Sequence, residues 1–148
     1  MASVLCVNLS EQKGMIKHPV EAAELRTNHG IVGDAHAGDW HRQVSLLAEE
    51  SVAKMRAQCD IALPYGVFAE NIDTEGMDLK ALPVGAVLRV GECLLEITQI
   101  GKECHSNCAI KQQVGHCVMP TEGVFARVIA GGTIRAGDAI TRENERPE

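Results

Sequence analysis

No stretch of this chain is long and apolar enough to cross a bilayer. Its N-terminus also lacks the basic segment and following hydrophobic run of an export signal. Both absences lead to the expectation of a cytoplasmic protein with no membrane partner. Nor is there an excess of basic residues: 14 Lys and Arg face 20 Asp and Glu, a net charge of −6. Sequence-independent nucleic-acid binding needs a basic surface, so that class is set aside. A local pocket of Lys, Arg and His can still hold a small anion against the global sign. Internal repeats, low-complexity tracts and linkers are missing too. The 148 residues are therefore read as one domain, with a core over about 4–141 and a charged tail over 142–148.

The chain is also short of helices. A doubly wound α/β sheet needs strands alternating with crossover helices, and only 48–59 reads as a convincing helix, with Val52, Met55 and Cys59 at intervals of three and four. A second short helix is expected over 121–129, stopped by Gly131 and Gly132. What is plentiful is short β-type sequence: 3–9, 43–47, 67–69, 86–90, 93–100 and 133–141, with 20–25 open between strand and helix. Gly91-Glu92 reads as the turn of a hairpin. The expected fold is mainly β, a β-barrel-rich single domain with one or two short helices.

Six cysteines are present. In a reducing compartment they are read as free thiols, metal ligands or catalytic groups ahead of disulfides. Cys6, Cys59 and Cys93 lie in or beside apolar runs and are read as packed thiols. Cys104 differs. It follows the buried-strand pattern 94–100 and Gly101, in the polar run Lys102-Glu103-Cys104-His105-Ser106-Asn107-Cys108. Lys102 and His105 place positive charge beside it, which favours the thiolate, the form that attacks sulfur and binds metals. Cys104, Cys108 and Cys117, with His105 and His116, leave open a mixed Cys/His zinc site; Cys108 or Cys117 could instead be a resolving thiol for Cys104, and Cys117 could simply be packed.

A second concentration of chemistry is the glycine-rich stretch 30–42. There His36 and His41 flank Gly38-Asp39-Trp40, with Asp34 placed to orient an imidazole and Arg42 to grip an oxyanion. The histidines could bind metal, act as acid and base, or donate to phosphate. Trp40 is either a stacking wall or a partly buried anchor. Arg127 is a second phosphate candidate, its alternative being a surface ion pair. Asn71 would either read a ligand edge or cap a turn.

In order, Gly30-Ile31-Val32-Gly33-Asp34-Ala35-His36-Ala37-Gly38, His41-Arg42-Gln43-Val44-Ser45-Leu46-Leu47, Glu70-Asn71-Ile72, Leu82-Pro83-Val84-Gly85, Val90-Gly91 and Glu96 to Cys104 resemble the MOSC domain. That domain is named for the C-terminal part of molybdenum-cofactor sulfurases, and the resemblance runs from about Val4 to Ile140. It implies a barrel similar to the small β-barrel domain of pyruvate kinase. It implies a role in binding molybdenum or molybdopterin, or in carrying sulfur as a persulfide, with Cys104 as the signature cysteine. Cys104, His36 and His41 would then be catalytic. Lys102, His105, Arg42, Asn71, Arg127 and Asp34 would surround an anionic cofactor of the molybdopterin type. Cys104, and Cys108 with it, would be candidate metal ligands.

The implied partners are a cysteine desulfurase or an enzyme of molybdenum-cofactor biosynthesis or insertion. A non-catalytic cofactor-delivery module and a zinc-stabilised barrel stay open beside this reading. Pyridoxal phosphate in this family belongs to a separate aminotransferase-like domain, and no site for it is visible in these residues.

Overall fold

The computed structural model describes residues 2–12, 16–57, 65–101 and 123–143. In chain order the strands are β1 (Ala2–Leu9), β2 (His18–Val20), β3 (Ala22–Arg26), β4 (Gly30–Ile31) and β5 (Val44–Ala48). Helix α1 (Glu49–Arg56) follows, then β6 (Ile72–Glu75), a 3-10 turn (Leu79–Ala81), β7 (Val87–Val90) and β8 (Cys93–Ile100). The chain continues through β9 (Val124–Ala130), β10 (Gly132–Arg135) and β11 (Ala139–Glu143).

Seven strands close a barrel in the order β11-β7-β8-β9-β5-β6-β1, and β1 pairs with β11 to complete it. Closure removes the open edges that an extended sheet would expose. All its pairings are antiparallel except β5 with β6, where the chain returns through α1. Alternation fills the interior: Leu46, Ile72, Leu88, Leu95, Ile97, Val124, Ala126 and Val128 meet in one core. On β1 a register shift between Val4 and Cys6 moves both Val4 and Val7 onto that core. β2 pairs with β1 outside the ring, and Pro19 suits its outer position, where no ladder donor is needed. β10-β3-β4 form a small second sheet.

The β7–β8 hairpin turns at Gly91-Glu92 as expected, with Val90 opposite Cys93 and Gly91 at φ +57. Two expectations fail. The segment around 124–129 is strand β9, not helix: Val124, Ala126 and Val128 enter the core while Phe125 and Arg127 take the opposite face, a period of two. Residues 65–68 form a turn and Ala69 follows at φ +63, in a crossing segment that leads from α1 to β6 and pairs with no strand. The expected last strand is two, β10 and β11, broken by the turn at Gly137-Asp138. Helix α1 begins at Glu49, whose charge and that of Glu50 favour the positive end of the helix; the rest of the 48–59 reading from residue 58 onward lies outside the described residues.

Beneath that crossing segment lies a buried polar layer. Asn8 of β1 donates through Nδ2 to Asp73 Oδ2 at 2.8 Å and to the Glu70 carbonyl at 3.2 Å. Asn71 is fully buried: its Oδ1 accepts from the Ser45 amide at 3.0 Å, and its Nδ2 donates to the Asn8 carbonyl at 3.1 Å. Glu70 Oε1 accepts from the Phe68 amide at 3.1 Å. The remaining oxygens, Glu70 Oε2 and Asp73 Oδ1, are buried without a conventional partner. Burial, and then hydrogen bonding to Glu70, push Asp73 up to about 10, so its carboxyl holds a proton at neutral pH.

Candidate functional site

Much of the described chemistry gathers along the 34–42 loop, and one anchor of that loop is a lysine that the sequence did not single out. Lys17 just precedes β2, and its side chain is completely buried with that of Asp34. Its ammonium donates to Asp34 Oδ1 at 2.7 Å and to Ser10 Oγ at 3.2 Å, and meets His36 Nδ1 at 3.0 Å. An ammonium can only donate, so His36 Nδ1 accepts, and in that arrangement the ring proton sits on Nε2. Asp34 also holds backbone: Oδ1 accepts from the Ser10 amide and Oδ2 from the His36 amide, each at 3.1 Å. It thus contacts His36 both through the main chain and through the shared lysine. A cleft of about 370 Å³ lined by Leu9, Ser10, Ile16 and His18 shares Ser10 with this group.

Further along the same loop, Trp40 Nε1 donates to the His36 carbonyl at 2.7 Å. His41 turns to the opposite neighbour, with Nε2 2.8 Å from Gln99 Oε1 near the end of β8. Thr98 Oγ1 donates to the His41 carbonyl. Gln99 Nε2 in turn donates to the Gly101 carbonyl at 2.8 Å, and the Gly101 amide to the Gly123 carbonyl at 2.7 Å. The two histidines therefore engage different neighbours, one the Lys17–Asp34 pair and the other the strand end that leads toward Lys102.

Arg42 lies over the Trp40 ring at 4.7 Å and over the Phe125 ring at 5.7 Å. Its Nε is buried and, among the described residues, has no acceptor. Phe125 and Arg127 are two residues apart on β9, so both arginines share one face of that strand. Arg127 is already engaged, its Nε 2.6 Å from Glu96 Oε1 on β8. Asn71 belongs to the polar layer, where its amide supports β1 and β5 backbone. Cys104, Lys102, His105, Cys108 and Cys117 lie outside the described residues, as does Cys59.

The two described cysteines are free thiols, and Cys6 is half-buried, donating to Asn8 Oδ1 at 3.2 Å. Cys93 is buried, and burial, then Glu92 and Asp138, push its thiol up to about 11. Cys6 is raised by burial and then by Asp73 and Glu70. Neither is poised as a thiolate. Among the described residues no group of three or more His, Cys, Asp or Glu is placed to hold a metal ion, and no helix is long and apolar enough to cross a membrane. Nothing in the sequence alone marked Lys17; its partner Asp34 is 17 residues away, and only the fold brings them together.

Comparison with known proteins gives two findings. The family model of the MOSC domain matches residues 33–141. Among solved structures, the YuaD protein from Bacillus subtilis superposes with a TM-score of 0.76 at 17% identity, covering 95% of this chain and 94% of its own. YiiM from Geobacillus stearothermophilus gives 0.75 at 18% identity over 97% of this chain and 76% of that one. YiiM from Escherichia coli gives 0.70 at 19% identity over 100% and 72%. At such identities the likeness is one of fold. No curated protein sequence matches.

Proposed function

The chain belongs to the MOSC domain family, and we propose that it handles the molybdenum cofactor or its sulfur through Cys104 at the barrel rim. The observation that carries the reading is the tie from the His36–Arg42 loop to the end of β8: His41 to Gln99, and Gln99 to Gly101. Cys104 is three residues beyond Gly101, so chain length alone keeps it within about 11 Å of that glycine. This supports a reading in which Cys104 works beside His41, the loop residue tied to that strand end.

When bound, the cofactor would supply a dithiolene pair of sulfur ligands to molybdenum and an anionic phosphate end. The residues present fit the anionic end: Arg42 carries a buried donor that lacks an acceptor, and a guanidinium pairs with oxyanions through parallel hydrogen bonds. Arg127 is compensated by Glu96, so the phosphate role falls first to Arg42. Lys102 and His105 would hold Cys104 as thiolate. In sulfur carrying, that thiolate attacks the terminal sulfur of a desulfurase persulfide; the S–S bond breaks, the desulfurase cysteine leaves as thiolate, and Cys104 keeps the sulfur. His36, with its acceptor nitrogen satisfied by Lys17, serves as a donor to an anionic ligand, while His41 is the group next to the strand end.

Intact-mass measurement after incubation with a cysteine desulfurase and cysteine tests this. Wild type should gain about 32 Da, one sulfur atom, and Cys104→Ser should not. Equal uptake by the variant would remove Cys104 from the role. Elemental analysis of protein from a molybdenum-sufficient host separates this from the zinc reading. Stoichiometric zinc that survives loss of Cys104 but not of Cys108 with Cys117 would favour a structural metal.

A further inference from the structure

Trp40 touches His36, His41 and Arg42, the three loop residues that the proposed function uses. Its Nε1 holds the His36 carbonyl at 2.7 Å. Its ring meets the His41 imidazole edge-on at 5.9 Å and 69°. The Arg42 guanidinium lies over its face at 4.7 Å, with Phe125 as a second ring at 5.7 Å. A guanidinium held against ring faces is left with in-plane N–H edges for acceptors. Arg42 Nε, on one such edge, is buried and has none. A buried donor on a permanently charged group is costly to leave unpaired. The acceptor that matches a guanidinium edge in shape and charge is an oxyanion.

We propose that Trp40 is the positioning residue of an oxyanion subsite at Arg42, fixing the guanidinium plane so that its Nε edge meets a tetrahedral oxyanion. This rests on reading the 36–42 loop as the ligand-holding rim. The ligand chemistry is that of a phosphate or pyrophosphate group, or of molybdate itself, which shares the tetrahedral shape and charge. Trp40 acts through Arg42 and the loop backbone and takes no part in bond making.

Trp40 is the chain's single tryptophan, so indole emission reports on this ring alone. Wild-type full-length chain is titrated at low salt with pyrophosphate and, separately, with sodium molybdate, following emission and the heat of binding. A saturable response to at least one anion is expected; response to pyrophosphate alone assigns a phosphate end, and to molybdate alone a metal oxyanion. Arg42→Gln should abolish it. Trp40→Ala should weaken affinity by roughly tenfold, the scale of a lost cation–π contact with its loop tie, and Trp40→Phe should recover part of that loss. No saturable binding of either anion to wild type overturns the proposal. So does a folded Trp40→Ala that binds as wild type; where that variant fails to fold, unchanged affinity in Trp40→Phe overturns it. The persulfide assay at Cys104 is read independently. Sulfur loading with no oxyanion binding removes the subsite and leaves the sulfur reading standing, and the converse result does the reverse.

Discussion

Lys17→Met is the sharpest test of the rim, because it removes one charge from a pair whose side chains are both fully buried. Methionine replaces most of the aliphatic stem, so little cavity is created. What changes is electrostatic: Asp34 keeps the Ser10 and His36 amides, each at 3.1 Å, but loses the ammonium at 2.7 Å. Breaking a buried pair by deleting one partner costs about 3–5 kcal/mol, and the two surviving amides place this case toward the lower end. For a chain of this size that corresponds to a fall in Tm of roughly 6–20 °C. Urea unfolding followed by Trp40 emission measures it. The double variant Lys17→Met with Asp34→Asn carries neither charge and should lose less than the two single losses added together. A cost below about 1 kcal/mol for Lys17→Met, the value of an exposed pair, would refute the buried pair and with it the fixing of His36.

Asp73→Asn puts an amide where the protonated acid sits, so it can donate to Glu70 and still accept from Asn8. In wild type the folded chain keeps a proton at Asp73 up to about 10, which the unfolded chain releases above about pH 4. Its contribution is full below the unfolded value and is lost as pH rises toward the folded one, on the order of 1 kcal/mol per pH unit at most. Asp73→Asn should flatten that fall and equal or exceed wild-type stability near about pH 8; urea midpoints that decline as steeply as wild type would place the proton elsewhere. Gly66→Ala should cost about 2–4 kcal/mol, since a Cβ would lie 2.2 Å from the Lys17 carbonyl at φ +93. Gly85→Ala, at φ +98 with open space around it, is the control and should cost about 1–2 kcal/mol by thermal melts. Equal losses at the two glycines would remove the contact as the cause.

Where the sequence could be read, local pattern and tertiary environment agree. β8 was legible end to end because its apolar run is bounded by Gly91-Glu92 and Gly101, and β1 because 3–9 is a short β-type run followed by a polar turn. β9 was misread because a short apolar run fits either period, and what decides it is pairing with β5 and β8, partners 24 or more residues away. The 30–42 loop was found by its density of Gly, His and Asp, yet its most buried charge partner, Lys17, was not. A lysine's burial depends on where a carboxylate arrives in space, and neither residue carries that information alone.

The family resemblance marked two sorts of residue with the same emphasis, and their surroundings separate them. Glu70 and Asn71 sit fully inside, bonded to backbone of β1, β5 and the crossing segment. Polar groups so placed fix one arrangement of strands, because any other would strand them without partners. His41 and Arg42, by contrast, retain solvent access and hold onto a loop and a strand end. A fully buried amide whose bonds are made to backbone has little to offer an incoming ligand, whereas a half-exposed guanidinium with an unmet donor does. Under the proposed function, recognition therefore falls to residues of 36–42, while the Glu70–Asn71 pair bonds strands and crossing backbone to one another.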